Sequence, residues 1–201
     1  MGRYSEKRRE AIEATLREQV FEVASSILRK NGPEGLTMDR IARKAGVSRG
    51  TLYNYFADAD AVVNYVEARI VEPLVERVEE IARSSAPAPR KLRAVAQTVF
   101  DSLSEEHALV IALFAKKEMR GPRAEQKIAH RNRFLDQVEQ IVTSGIEDGS
   151  LRDVPPRFAG EVFLGAIGGF VEAMVYAGEF RSADEIVPGL MDIMASGLVA
   201  D

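Results

Sequence analysis

Apolar residues recur with helical spacing along most of the chain, and no long stretch alternates apolar and polar residues with period two. A first helix is predicted over residues 5–30, where Leu16, Val20 and Ala24 share one face. The segment Asn31-Gly32-Pro33 is expected to end that helix, because glycine suits a left-handed C-cap and proline cannot continue the helix. The pattern therefore predicts an all-α protein.

Eight further helices are predicted from the same spacing and from residues that suit helix ends. Thr37, Ser48 and Asp58 each precede an apolar-periodic segment, where an N-cap side chain accepts a hydrogen bond from a backbone N–H group of the first turn. Pro73 lies inside the fourth helix, where the missing backbone donor is expected to produce a kink. The predicted spans are 38–45, 48–56, 58–82, 90–103, 105–119, 122–147, 156–178 and 183–198.

The composition is that of a globular protein without thiol chemistry. Apolar residues make up 46% of the 201 residues, and no cysteine is available for a disulfide or a thiolate metal site. His107 and His130 lie too far apart in sequence to suggest a metal site, and no cofactor is expected. Residues 3–10 are charged, unlike a signal peptide, and the apolar runs 108–115 and 162–171 are too short to span a bilayer. A cytoplasmic protein without a membrane partner is therefore expected.

Charge is distributed unevenly along the chain. The formal net charge is −4, from 27 basic and 31 acidic residues, but residues 1–55 hold 11 basic and 7 acidic residues. The first quarter thus carries +4 and the remainder −8. A basic end on an acidic body can direct a polyanion to that end, although chance unevenness of a solvated surface would give the same numbers.

Residues 38–56 have the pattern of a helix-turn-helix, and they read MDRIARKAGVSRGTLYNYF. Ala42 supplies a small residue where the two helices would cross, and Gly46 tolerates the positive φ that the turn needs. Ile41 and Leu52 can pin both helices to a third one. The second helix would then present polar side chains outward, and such a helix enters the major groove of B-DNA. The alternative is an ordinary tight helical hairpin, which also favours alanine and glycine at these places.

The same stretch resembles the DNA-binding domain of TetR-family transcriptional regulators. The residues that carry the resemblance are Gly35-Leu36-Thr37, Ile41-Ala42, Ala45-Gly46-Val47-Ser48, Gly50-Thr51-Leu52-Tyr53 and Tyr55-Phe56. Residues 145–152 also resemble the end of the family's seventh helix. The resemblance implies a three-helix DNA-binding domain over residues 1–57 and a helical ligand-binding and dimerisation domain over residues 58–201. It implies a ligand-responsive regulator, by the family's usual mode a repressor, and not an enzyme.

The resemblance implies that a homodimer binds a palindromic double-stranded operator. Arg49 and Thr51 are then expected at base edges, where an arginine can pair with O6 and N7 of guanine. Thr37 is expected to bind a phosphate at the start of the second helix. For Tyr53 the alternative is a place in the small core. The full set of predicted DNA-binding residues is Thr37, Ser48, Arg49, Gly50, Thr51, Tyr53 and Asn54.

One position departs from the family pattern. The family usually has a lysine early in the fourth helix that reaches a phosphate, whereas this chain has Ala59 there, between Asp58 and Asp60. The acids suit the positive end of that helix dipole, but they would repel a phosphate. The departure predicts a weaker contact between the fourth helix and the DNA backbone.

The C-terminal region carries wide apolar faces, and in the family a ligand cavity lies among the corresponding helices. A small apolar or amphipathic effector is expected rather than a phosphate-bearing one, because no glycine-rich phosphate loop is present. For each apolar residue the alternative is simple filling of the core. The predicted ligand-binding residues are Gln97, Phe100, Leu103, His107, Phe114, Phe134, Val138, Phe163, Ile167 and Glu172.

The eighth helix contains Gly165, Gly168 and Gly169, although glycine inside a helix costs about 0.5–1 kcal/mol relative to alanine. Close approach of a helix from a second subunit would explain them, and the family suggests a four-helix dimer interface. Close packing inside one subunit, or a bend near the pocket, would explain them as well. The predicted dimer contacts are Gly168, Val171, Met174, Leu190, Ile193 and Met194.

Two other functions compete with this one. An enzyme could use His107 beside Glu105 and Glu106, or Asp101, as an acid–base pair, but no nucleophile, metal cluster or cofactor loop accompanies them, so no catalytic residue is predicted. A DNA-binding regulator without an effector would share every N-terminal feature and would differ only in lacking the pocket.

Overall fold

The computed structural model describes residues 2–105, 107–114 and 122–198 of the chain. These ranges form nine α-helices and one short 3₁₀ helix, which confirms the all-α prediction. The 3₁₀ helix Pro33–Gly35 lies between α1 and α2. The α-helices are α1 Gly2–Asn31, α2 Met38–Ala45, α3 Arg49–Tyr53, α4 Ala59–Arg83, α5 Ala88–Glu105, α6 His107–Phe114, α7 Pro122–Glu147, α8 Pro156–Ala177 and α9 Ala183–Leu198.

Most predicted helix bounds hold to within three residues. α2, α7 and α9 span the predicted ranges, whereas α3 ends at Tyr53 and leaves Asn54 and Tyr55 in a turn. α5 begins two residues early, since Pro89 falls in its first turn, where no helical hydrogen bond needs its missing N–H group. Of the predicted sixth helix, residues 115–119 lie outside the described residues.

Contacts divide the chain into two compact units, residues 1–70 and 71–201, so α4 begins in one unit and ends in the other. The N-terminal unit has a small apolar core in which Val20 of α1, Ile41 of α2 and Leu52 of α3 are fully buried. The functional boundary between residues 57 and 58 remains a prediction.

The ends of α2, α3 and α4 are formed by the residues predicted for them. The Thr37 hydroxyl accepts from the Arg40 N–H at 3.3 Å, and the Asp58 carboxylate accepts from the Ala61 N–H at 2.7 Å. Gly46 adopts the left-handed conformation with φ 69°, and its N–H donates to the carbonyl of Ala42. These contacts confirm the predicted caps at both ends of α2 and at the start of α4.

The C-terminal unit is a bundle in which α5 packs against α7 and α9, and α7 packs against α8. Its core is one apolar cluster to which α5, α7 and α8 contribute the fully buried Phe100, Val138 and Phe163. At the entrance to α9 the Ser182 N–H donates to the Glu185 carboxylate at 2.9 Å, which fixes the start of that helix.

Candidate functional site

The helix α3 presents a polar surface over an apolar anchor. Leu52 is fully buried, while the other positions of the helix and its two flanking residues lie outward, with only Thr51 half-buried. The Tyr53 side chain is 44% exposed, so the alternative that it fills the core is wrong. The outward residues are Ser48, Arg49, Gly50, Thr51, Tyr53 and Asn54, which are the ones predicted on this helix.

Hydroxyl groups at the starts of α2 and α3 accept hydrogen bonds and remain able to donate. The Ser48 hydroxyl accepts from the Thr51 N–H at 3.0 Å, and the Ser48 and Thr51 hydroxyl oxygens are 2.8 Å apart. The Thr37 hydroxyl is exposed and accepts from the backbone of α2. A hydroxyl that accepts keeps its own proton, so these helix starts can offer donors to an anion.

Arg49 is held by two neighbours on this surface. Its Nη1 lies 3.0 Å from Oδ1 of Asp39, and its guanidinium lies over the Tyr53 ring, 5.6 Å from the centroid. Its Nη2 donates to the Tyr53 hydroxyl at 3.5 Å. That hydrogen bond and the Asp39 carboxylate raise the pKa of Arg49, which stays protonated throughout the physiological range. The pair also brings the start of α2 beside the start of α3.

Sequence reasoning missed Asp39. An acid in the first turn of a helix is explained by the helix dipole alone, so nothing in the local pattern indicated a partner ten residues further along the chain.

Six of the predicted ligand-binding residues meet in the C-terminal unit. Phe100, Leu103, Val138, Phe163 and Ile167 belong to its buried apolar cluster, and Phe134 packs against that cluster. The structure does not bring Gln97 and Glu172, two of the three predicted polar residues, there. The Gln97 amide lies 3.4 Å from carboxylate oxygens of Asp101 and Asp184, on an exposed surface. Glu172 is exposed on α8. The side chains of His107 and Phe114 lie outside the described residues.

A separate groove of about 440 Å³ lies between α4 and α5. Arg77, Arg90 and Lys91 line it together with the apolar Ile81, and the Lys91 ammonium also donates to the Ala82 carbonyl at 2.8 Å. None of the predicted ligand-binding residues lines this groove. The predicted pocket and this groove are therefore different places.

The predicted dimer residues divide into two groups. Met174, Leu190 and Met194 are buried in the core of their own unit, which corrects the prediction that they face a partner. Gly168 and Ile193 are exposed and Val171 is half-buried. A Cβ atom added at Gly165, Gly168 or Gly169 would meet no atom within 4 Å. Close packing inside one chain therefore does not explain these glycines.

A second apolar face of α8 points outward and was not predicted from the sequence. Phe158 is 63% exposed and Tyr176 is 94% exposed. The residues follow one another at intervals of three, four or seven, which places them on one side of the helix, opposite Phe163 and Met174. We call this surface the α8 outer face; it consists of Phe158, Val162, Gly165, Gly169 and Tyr176, and the exposed Glu172 lies on the same side between the last two. The spacing could have been found in the sequence, but it was hidden by the apolar residues of the inner face.

Comparison with protein families decides the identity of this arrangement. Residues 20–66 match the family described as bacterial regulatory proteins, tetR family. Residues 85–197 match the tetracyclin repressor-like C-terminal domain. The chain belongs to the TetR family. It is therefore a DNA-binding transcriptional regulator, and the predictions of the family and of a protein that is not an enzyme are confirmed.

TetR-family relatives match over most of the chain. The fatty acid metabolism regulator protein of Bacillus subtilis (strain 168) is 25% identical over 182 residues, which cover 90% of this chain and 94% of that protein. The crystal structure of FadR from Bacillus subtilis in complex with stearoyl-CoA gives a TM-score of 0.79 at 23% identity, covering 90% of this chain and 98% of that chain. The complex of triclosan with SmeT, the repressor of a Stenotrophomonas maltophilia efflux pump, gives 0.78 at 21% identity, covering 93% of each chain. Both solved structures have the same fold as this chain.

A polar cluster joins α4 to α7 in the C-terminal unit of this TetR-family chain. Glu72 lies 2.7 Å from Arg133 and 3.1 Å from the ring nitrogen Nε2 of His130, and Glu79 lies 2.9 Å from Arg133. The hydrogen bond from Arg133 is the main cause that lowers the pKa of Glu72, and the two glutamates raise the pKa of Arg133. We call these four residues the α4–α7 cluster. No local pattern indicates this cluster, because its bonded partners are 54–61 residues apart in the chain.

α8 is long and apolar enough to cross a bilayer by length and composition alone. In this TetR-family chain one side of α8 is packed in the core through Phe163 and Ile167, and the charged Glu161 and Glu172 lie on its exposed side. Its apolar character thus divides between a packed inner face and the α8 outer face. Among the described residues, no group of three or more His, Asp or Glu side chains is placed to hold a metal ion.

Proposed function

We propose that this regulator binds a palindromic operator as a homodimer, with α3 of each subunit in a major groove. The observation that carries this proposal is the polar surface of α3 over the buried Leu52. A symmetric dimer reads two half-sites whose centres are about 34–36 Å apart, so operator symmetry follows from protein symmetry. Since operator DNA is the partner, the protein works in the cytoplasm.

On the operator, Arg49 and Thr51 contact base edges. Thr37, Ser48, Tyr53 and Asn54 contact the sugar-phosphate backbone and set the register. Gly50 is exposed, and its lack of a side chain lets the helix approach the groove.

Two substitutions separate these roles. Arg49→Ala should reduce the preference for one base pair in each half-site by about tenfold, because a bidentate arginine–guanine contact is lost. Thr37→Ala should weaken binding to all sequences alike, since phosphate contacts carry no sequence information. Selection of bound sequences from a randomised pool measures both effects. The same base preferences for Arg49→Ala and the parent would contradict the assignment of Arg49.

The homodimer forms through the α8 outer face. Its apolar side chains are exposed in the single chain, and the open space at Gly165 and Gly169 would let a partner helix approach closely. Gly169→Ala tests this directly. In a monomer the change should stabilise α8 by about 0.5–1 kcal/mol, whereas in the dimer the added methyl group should oppose helix contact. Sedimentation at several concentrations is the measurement, and a parent protein that is monomeric at micromolar concentration would contradict the proposal.

The effector is a fatty acyl thioester of coenzyme A, and the phosphates of that carrier depart from the expectation of a ligand without phosphate. Support comes from the buried apolar cluster that holds six predicted ligand residues, which suits an alkyl chain, and from the relative of matching length whose structure contains stearoyl-CoA. An effector can bind more tightly to a conformation whose recognition helices do not match the half-site spacing. The operator affinity then falls by the difference between the effector's binding free energies for the two conformations, typically about 1–3 kcal/mol. α4 is the natural route for this coupling, because it begins in one unit and ends in the other.

Operator binding measured with stearoyl-CoA tests the effector. We expect stearoyl-CoA to weaken operator binding about 5- to 150-fold at saturation, and coenzyme A without an acyl chain to have no effect. Release by triclosan but not by stearoyl-CoA would replace the thioester with an apolar drug-like effector. If no apolar ligand from a thermal-shift screen binds, the protein is a regulator without an effector.

A further inference from the structure

The contact between Asp39 and Arg49 lies on the surface formed by α3 and the start of α2, which is proposed to bind DNA. Asp39 has no role in the proposed function. Asp39 belongs to the first turn of α2, and Arg49 is the first residue of α3. Both side chains are mostly exposed, and their charged atoms are 3.0 Å apart. Exposed ion pairs add little to folding stability, because water screens them and both side chains lose freedom. Stability is thus a weak reason for this pair.

The pair instead restricts the Arg49 side chain. An arginine on a solvent-exposed helix samples many rotamers, and the entropy lost on ordering it opposes any contact that it makes. Here Asp39 holds Nη1, while the Tyr53 hydroxyl and ring hold the other edge of the guanidinium. These contacts favour one orientation of the guanidinium before DNA arrives.

This arrangement leaves enough donors for a base. A guanidinium carries five N–H groups, and the contacts to Asp39 and Tyr53 use two of them. Three remain, and a bidentate contact to O6 and N7 of guanine needs two. Asp39 and a guanine can thus be bound by Arg49 at the same time.

We propose that Asp39 is a positioning residue that sets base preference by holding Arg49 in its DNA-reading orientation without touching a base itself. The proposal rests on the proposed base contact of Arg49. Because Asp39 is an anion near DNA, it should lower affinity for all sequences while it sharpens preference at the base pair that Arg49 reads. These two effects are measured separately, and only the second one requires Arg49.

The experiment compares the base preferences of full-length variants by selection from a randomised operator pool, together with affinity for a non-operator duplex. Asp39→Asn removes the charge and keeps the shape. Asp60→Asn is the matched control, since Asp60 is an exposed acid in the first turn of α4 and takes part in none of the contacts of Arg49 described above. Arg49→Ala and the variant that carries both Asp39→Asn and Arg49→Ala complete a double-mutant cycle. Melting curves followed by circular dichroism confirm that each variant is folded, and Asp39→Glu provides a variant that keeps the charge.

We expect Asp39→Asn to reduce preference at a single base pair of each half-site by about three- to tenfold, a part of the loss expected for Arg49→Ala. Asp60→Asn should leave preference unchanged, and Asp39→Asn should have no effect on preference when Arg49 is already alanine. Unchanged or sharper preference in Asp39→Asn would overturn the positioning role. A change that persists without Arg49 would overturn it as well. If Arg49→Ala itself leaves preference unchanged, the proposed base contact has failed instead.

Discussion

The two units of the molecule present their functional side chains in different ways. The N-terminal unit gathers them on the five-residue helix α3 and at the start of α2, where local backbone rules fix each position. The C-terminal unit distributes them over α4, α5, α7, α8 and α9, where orientation depends on which face each long helix buries. A local motif therefore reveals the DNA-binding surface, whereas the sensor and dimer surfaces require knowledge of packing.

The largest effect is expected from a substitution that prevents dimerisation and leaves the residues of α3 unchanged. Val162→Lys places a charge in the α8 outer face, where Val162 is exposed in the single chain. We expect a folded monomer whose operator affinity falls by at least about 100-fold, because two linked half-sites gain about 10²–10⁴ in affinity over one. Sedimentation and operator titration measure the two effects.

Gln140→Lys is the control for this change, since it adds the same charge at an exposed position of α7. It should leave both the dimer and operator binding unchanged. A Val162→Lys protein that remains dimeric would place the interface elsewhere on the C-terminal unit.

The outcome of sequence reasoning follows the same division between the units. Thr37, Gly46 and Ser48 were predicted with their roles at helix ends, because caps and left-handed turns depend on residues within a few positions. Met174, Leu190 and Met194 were assigned to a partner and instead fill the core, because α8 and α9 have apolar residues on more than one face. Periodicity identifies such a face but does not tell which one the chain itself covers.

Side-chain pairs between distant segments could not be predicted at all. In the sequence, each member of the pairs Asp39–Arg49 and Glu72–Arg133 can be explained by its own helix alone. Each is either a charge that suits the helix dipole or a charge exposed to solvent. Only the packing of one helix beside another brings the members of each pair within reach.

The next test concerns the sensor unit. Phe163→Leu removes part of a fully buried ring from the apolar cluster, and its cost should be about 1–2 kcal/mol, less than complete truncation to alanine. We expect a several-fold change in the affinity for stearoyl-CoA while operator affinity without ligand stays as in the parent. Isothermal titration with each ligand is the measurement. Loss of operator affinity that exceeds the change in thioester affinity would mean that the cluster acts in folding alone.

A smaller effect is expected at the α4–α7 cluster. Its hydrogen bond from Arg133 lowers the pKa of Glu72 from the usual value of 4.5, so the pair stabilises the fold above that pH and loses its effect as pH falls through the lowered pKa. Both side chains are about two-fifths exposed, so solvent screening limits the gain to about 0.5–1 kcal/mol near neutral pH. Glu72→Gln should thus lower the Tm by about 1–4 °C at pH 7, and the difference should shrink as the pH falls through the lowered pKa of Glu72. Glu76→Gln, exposed on the same helix, is the control. A difference in Tm that grows on acidification would contradict the assigned ion pair.

The smallest expected effect lies at the start of α4, where this chain has Ala59 in place of the lysine usual in the TetR family. Asp58 caps the helix through the Ala61 N–H, and Asp60 is exposed in its first turn, so both acids stabilise the helix although they face an anionic partner unfavourably. Ala59→Lys should tighten operator and non-operator binding together, by a few-fold, and leave base preference unchanged. Each new phosphate contact releases about 0.9 counterion, so the slope of log affinity against log salt should steepen by about one per half-site. Binding measured from low to moderate salt on both duplexes is the test. A gain confined to the operator, or an unchanged slope, would mean that the start of α4 does not reach the DNA backbone, and the acids there would then have no cost for binding.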